Sequence, residues 1–175
     1  MMSIRSTSSH RNGFTLVETL VAIAILMIAI VGPYYSIQQA IVTSYAARDQ
    51  LIASQLAQEA EEYIYFTRDN AYLGSSDWNA WLSSLSACTG TYGCVVDPGL
   101  NTVASCSSSG CPALKQNSNN GLYTQTGSYP TTRFTRTVKM TPINVNEEAV
   151  TVTVNWITEH RSYTVTTVDD LYNWL

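Results

Sequence analysis

The sequence predicts an α+β protein in which one long N-terminal α-helix packs against a C-terminal antiparallel β-sheet. Three observations predict it. Residues 14–33 form an apolar run broken by few polar side chains. Residues 34–68 contain neither Gly nor Pro and repeat apolar side chains at helical intervals. Beyond Arg133, three segments alternate apolar and polar residues with a period of two, the mark of strands with one buried face.

Residues 1–13 read as a short basic leader, with Arg5, His10 and Arg11 ahead of a closing Gly13. The run from Phe14 to Pro33 spans about 30 Å as a helix, the thickness of a bilayer's hydrocarbon core. Leu20 to Val31 carries no polar side chain. Because Arg5 and Arg11 precede it, the N-terminus is expected in the cytoplasm and everything after Pro33 outside. Cleavage as an ordinary secretory signal fits poorly. The A-x-A triplet Ala22-Ile23-Ala24 lies inside the run, whereas a signal peptidase cuts after it. A plain single-pass anchor accounts for hydrophobicity and orientation but leaves Glu18 unexplained, since a carboxylate within a span needs a partner.

Gly32 and Pro33 close the run and predict a helix kink, because proline removes one helical hydrogen bond. The helix is then expected to continue as an amphipathic segment over 34–68. Its apolar stripe is Ile37, Ile41, Tyr45, Ile52, Leu56, Ala60, Tyr63 and Ile64, with Gln38, Arg48, Gln55, Glu59 and Glu62 mostly off it. Tyr34, Tyr35 and Tyr45 read as interface and core aromatics. Span and continuation together make a helix of about 54 residues, about 80 Å long.

Residues 69–130 are rich in Ser, Gly and Asn and are expected to be a long cross-linked loop, with one short helix over "SDWNAWLSSL" capped by Ser76 or Asp77. The four cysteines, Cys88, Cys94, Cys106 and Cys111, all fall here. An even number in a loop-like region behind an export signal reads as disulfides. Of three possible connectivities, Cys88–Cys94 with Cys106–Cys111 is favoured because each closes a short loop. The competing reading, a four-cysteine zinc site, would need C-x5-C and C-x4-C pairs, wider than the usual knuckle.

Residues 131–175 are expected to form the antiparallel sheet. In "RFTRTVKMT" the alternating residues are Phe134, Arg136, Val138 and Met140; in "AVTVTVNWI" they are Val150, Val152, Val154 and Trp156; in "SYTVTTV", Tyr163 and Val165. "TEHR" is short enough to join the last two strands as a hairpin. The face carrying Val150, Val152, Val154 and Trp156 should cover the apolar side of the helix. Trp174, in the closing "DDLYNWL", is a candidate clamp.

Charge and chemistry narrow the function. The net charge is −4, and a chain beginning at Phe14 has seven Lys/Arg against thirteen Asp/Glu, or −6. That balance argues against nucleic-acid binding, which needs clustered cations. The two histidines, His10 and His160, lie in the leader and in a hairpin turn, so no nucleophile–base pair can be assembled. Glu59, Glu61 and Glu62 read as a solvated helix face. Asp69, Asn70 and Asp77 lack the spacing of a calcium loop. No enzyme activity, metal or cofactor is expected.

"NGFTLVETLVAIAIL" resembles the N-terminus of type IV pilins and type II secretion pseudopilins: a basic leader, a Gly, a Phe, then about 20 apolar residues broken by a Glu at the fifth mature position. Gly13, Phe14 and Glu18 occupy those places. The resemblance implies cleavage between Gly13 and Phe14 by a prepilin peptidase and N-methylation of Phe14. It implies assembly into a filament through the N-terminal helix, with Glu18 meeting the N-terminal ammonium of a neighbour. Its implied partners are other pilins, the prepilin peptidase, an inner-membrane platform protein and, indirectly, an assembly ATPase. The early Gly-Pro and the elaborated loop region favour a minor subunit. Two other classes stand beside it: a single-pass anchored binding protein that never assembles, and a membrane-tethered enzyme, for which the sequence offers no residues.

Overall fold

The computed structural model describes residue 13, residues 15–158 and residues 161–173. Helix α1 runs Leu16–Leu73 and a short helix α2 spans Trp78–Ser84, followed by a single 3-10 turn, Ser86–Cys88. Seven strands follow: β1 Cys94–Asp97, β2 Thr102–Ser105, β3 Ala113–Gln116, β4 Tyr123–Thr124, β5 Thr131–Asn144, β6 Glu147–Thr158 and β7 Arg161–Tyr172. The long helix packs on the C-terminal antiparallel sheet, the predicted α+β arrangement. The chain divides into two compact units, with the boundary between Tyr45 and Ala46.

In the first unit, Pro33 lies inside α1 without ending it. Its ring removes one amide from the ladder, and a nearby hydroxyl bonds to a carbonyl of the preceding turn: Ser36 Oγ donates to Gly32 O at 3.2 Å.

The second unit is the head. Its core joins Ala53, Leu56, Ala57, Ala60, Tyr63 and Ile64 of α1 to the inward residues of the sheet. Val150, Val152, Val154 and Trp156 are all buried there, as the period-two pattern predicts. The helical stripe needs correction, because burial begins only at Asp49. Ile37, Ile41 and Tyr45 are 57%, 44% and 57% exposed. Periodicity reports that a helix face is apolar and not what covers it, and these three residues lie in the first unit.

The helix also runs beyond the expected stop at Arg68, to Leu73. Asp69 and Asn70 are indifferent helix formers, but the chain is stopped by geometry further on. Ser76 N donates to Ala71 O at 2.9 Å and Ser75 N to Tyr72 O at 3.0 Å, with Ser75 left-handed at φ 60°. This is a Schellman closure with serine where glycine is usual. Ser75→Gly should therefore raise stability by about 0.5–1 kcal/mol, read as a higher denaturant midpoint at unchanged slope. Helix α2 is then capped by Asp77, whose Oδ1 accepts from Ala80 N at 2.7 Å. Trp81 donates its Nε1 proton to Thr67 Oγ1 at 3.1 Å, which fastens α2 to the end of α1.

Strands β5, β6 and β7 form a meander. β6 and β7 pair without a slip from Glu147↔Tyr172 to Thr158↔Arg161. The segment expected to be loop is in fact partly sheet. β1–β2 and β3–β4 are hairpins, and both attach to the edge of β5 opposite β6, at Cys94↔Val138 and at Ala113↔Thr135. Gly93 makes the first attachment possible. A Cβ there would lie 2.6 Å from Val138 O, and its φ of 71° is one that other residues rarely adopt. The cysteines pair as Cys88–Cys94 and Cys106–Cys111. The first ties the 3-10 turn to β1. The second closes the link from β2 toward β3.

One carboxyl is buried on the helix-covered face of β6. Glu148 is 3% exposed, and burial raises its pKa above the ordinary carboxyl value. The favourable, protonated contribution is complete below the unfolded-state pKa and is lost as pH rises through the higher folded-state value. Glu148→Gln should accordingly raise the melting temperature at pH 7 and leave it nearly unchanged at about pH 3. An equal shift at both pH values would sink this account.

Candidate assembly site

Gly13 precedes α1, and Thr15 stands immediately before its first residue, Leu16. The Glu18 amide donates to Thr15 Oγ1 at 3.3 Å, so T-L-V-E forms one half of a capping box with Glu18 at the third helical position. Thr19 Oγ1 turns back to Leu16 O at 2.9 Å. A carboxylate in the first turn also complements the helix dipole. The Glu18 side chain is exposed, as are the apolar residues around it, including Leu16 at 76%, Val17 at 67% and Ile28 at 76%. The helix contains a stretch long and apolar enough to cross a membrane, and no part of that 18-residue window is buried within the chain. Left in water, such a surface is unfavourable by roughly 25 cal/mol per Å². It therefore requires either lipid or other apolar helices.

Phe14, the other half of the expected cleavage site, lies outside the described residues, as do Arg5, His10, Arg11, His160 and Trp174. Gly32 and Pro33 are placed within α1. The four cysteines belong to the head.

Residues 8–32 match the sequence profile described as the prokaryotic N-terminal methylation motif. The stretch bears the signature of the type IV pilin and pseudopilin family. Neither the curated proteins nor the solved structures compared with this pilin-like chain contain a match to it. Pilin-family proteins are structural and not enzymatic, and they assemble with other pilins after processing by a prepilin peptidase. The motif and the apolar helix are consistent with an inner-membrane anchor before assembly.

The head of this pilin-like chain is held to its helix by a contact that composition does not reveal. Arg136, on the inward face of β5, is 1% exposed. Its Nη1 donates to Leu56 O at 2.9 Å and to Glu59 Oε2 at 2.6 Å, and its Nη2 donates to Val96 O at 2.8 Å. One guanidinium thus joins α1, β1 and β5, using a planar fork that lysine lacks. Asp49 makes a second link. It is 7% exposed, and its Oδ2 accepts from Arg133 Nη1 and Thr158 Oγ1, each at 2.9 Å. Tyr65 supplies a third through its hydroxyl, which donates to Asp169. Burial, with the Asp169 carboxylate accepting from it, pushes the phenol's pKa up to about 12.

Of these residues, Arg136 was visible in the sequence as a polar residue out of place on an apolar strand face. Asp49 falls on the spacing of the apolar stripe itself, four residues after Tyr45 and three before Ile52, so its one signal was a carboxylate at a core-facing position. Glu59 is a partner for Arg136 and not a member of a solvated acidic face. Two of the three residues weighed for calcium have other partners: Asp69 accepts from Arg68 at 2.9 Å, and Asp77 caps α2. Among the described residues, no group of three His, Cys, Asp or Glu is placed to hold a metal ion.

Proposed function

We propose that the chain is a structural subunit of a type IV pilus or type II secretion-like filament, most closely fitting a minor pilin or pseudopilin. The observation that carries this reading is the methylation motif at 8–32 at the head of an apolar helix that the chain itself leaves uncovered. The prepilin peptidase cuts between Gly13 and Phe14, and Phe14 is N-methylated. Cleavage ahead of the apolar run keeps the helix as the anchor, with the N-terminus cytoplasmic and the head outside. The new α-amino group, with an ordinary pKa of about 8, is largely charged at neutral pH.

In the filament, neighbouring helices replace lipid around α1. Glu18 of one subunit meets the ammonium of Phe14 on the next. Each charge alone is costly in an apolar core, so the pair sets axial register more than it adds stability. Gly32 and Pro33 provide a kink where the ladder already lacks a bond. A platform protein and, through it, a cytoplasmic ATPase drive insertion of the subunit into the filament.

Mass spectrometry of the N-terminal peptide, on protein purified from membranes of the native host, tests the reading. The expected result is a chain beginning at methylated Phe14. A chain that keeps residues 1–13 in cells with an active prepilin peptidase would overturn it and leave a plain anchor.

A further inference from the structure

The head contains a cleft of about 560 Å³, a size suited to a small organic ligand. Its walls include Arg48 and Asp49 of α1, Gln116 at the end of β3, Tyr123 of β4, and Thr131 and Arg133 of β5. The chemistry of these walls is specific in three respects. Arg48 is exposed and has no ion-pair partner among the described residues. Arg133 is 52% exposed at its side chain and gives Asp49 only Nη1, so the rest of its fork remains available to a ligand. The three charges sum to +1, in a chain whose total is −4. Tyr123 is half-buried and braced edge-on by Phe134, with centroids 6.2 Å apart. That contact fixes an aromatic wall beside the cations.

Each alternative ligand leaves part of this set unused. A free phosphate needs neither the ring nor the volume. A neutral sugar suits the ring, hydroxyl and amide but leaves Arg48 without a purpose. A long acidic peptide would call for more than one net positive charge. We propose that the cleft binds a single carboxylated sugar unit of an anionic glycan, its ring against Tyr123 and its carboxylate on Arg48 and the outer edge of Arg133. Guanidinium matches carboxylate in a planar, bidentate geometry. The fringe of Gln116 and Thr131 offers hydrogen bonds to ring hydroxyls. The inference is independent of the filament reading, since it concerns the head alone.

The test uses the full chain in detergent micelles and ligand-observed NMR. Glucuronate and galacturonate are the probes, with glucose and inorganic phosphate as comparisons. At least one uronate should bind at millimolar concentration, and both comparison compounds should bind about tenfold more weakly or worse. Arg48→Gln should weaken uronate binding about tenfold and leave the unfolding midpoint unchanged, because Arg48 holds no ion pair in the fold. Three results would overturn the proposal. One is the absence of binding by either uronate at about 50 mM. Another is phosphate or glucose binding as tightly as the uronates, which would make this a bare anion site or a neutral-sugar site. The last is unchanged uronate binding in the Arg48→Gln chain.

Discussion

Replacing Arg136 with alanine is expected to destabilise the head by about 3–5 kcal/mol, the largest stability loss of any single substitution argued from this structure. Three losses coincide. The carbonyls of Leu56 and Val96 each lose a charge-assisted donor, and Glu59 loses its cation. A large side chain that is 1% exposed also leaves a void. Arg136→Met keeps most of the volume and should fall between alanine and the parent. Arg136→Lys should not rescue, because one ammonium cannot serve acceptors on α1 and β1 together. The Glu59 side chain is 37% exposed, so Glu59→Gln should shift stability by only about 1 kcal/mol or less. Equilibrium unfolding of the full chain in micelles gives these values. An alanine variant within about 1 kcal/mol of the parent would show that the Arg136 contacts add little net to the fixing of the helix on the sheet.

The second large effect concerns Glu18. On the proposed function, Glu18→Ala inserts into the membrane normally but is absent from sheared filaments, as measured by quantifying the subunit in both fractions. The structure raises a rival explanation, since Glu18 stands at the third helical position of a capping box whose Thr15 half is formed. Glutamine separates the two. It serves the third helical position of a capping box nearly as well as glutamate but carries no charge. If capping were the whole role, Glu18→Gln would assemble like the parent. If the carboxylate meets a neighbour's ammonium, Gln should fail as Ala does. Assembly of the Gln variant at parental levels would remove the charge pair from the account.

The elements that sequence disclosed best were those whose partner is implied by their own pattern. The alternation of Val150, Val152, Val154 and Trp156 specifies a buried face, and one face of a sheet is what was found. The two short cysteine loops were legible because spacing limits which thiols meet. Attachments between distant segments were harder to see. β1 and β3 are only four residues each, too short for alternation to register above loop composition. Their real signals were the turns, Asp97-Pro98-Gly99 and Asn120-Gly121, which read as hairpins once short flanking strands are allowed. Ile37, Ile41 and Tyr45 show the opposite error. Their periodicity is genuine, yet nothing in a pattern says whether the covering surface belongs to the same chain. At the N-terminus the sequence reading went furthest, because a motif of residue types at fixed spacing needs no tertiary partner to be recognised.

The ties between helix and sheet carry a consequence for the order of events in the cell. Glu59 and Arg136 are 77 residues apart, Asp49 and Thr158 are 109 apart, and Tyr65 and Asp169 are 104 apart. Contacts at such separations form late, after loop closures whose entropy must first be overcome. On the proposed topology the N-terminus stays in the cytoplasm and the head crosses from its helix end onward, so the inner face of the helix emerges bare and is not covered until the last strand has crossed. During that interval the exposed stripe is open to chaperones, proteases and other unfinished chains. Export rate, more than final stability, would then govern the yield of folded subunit.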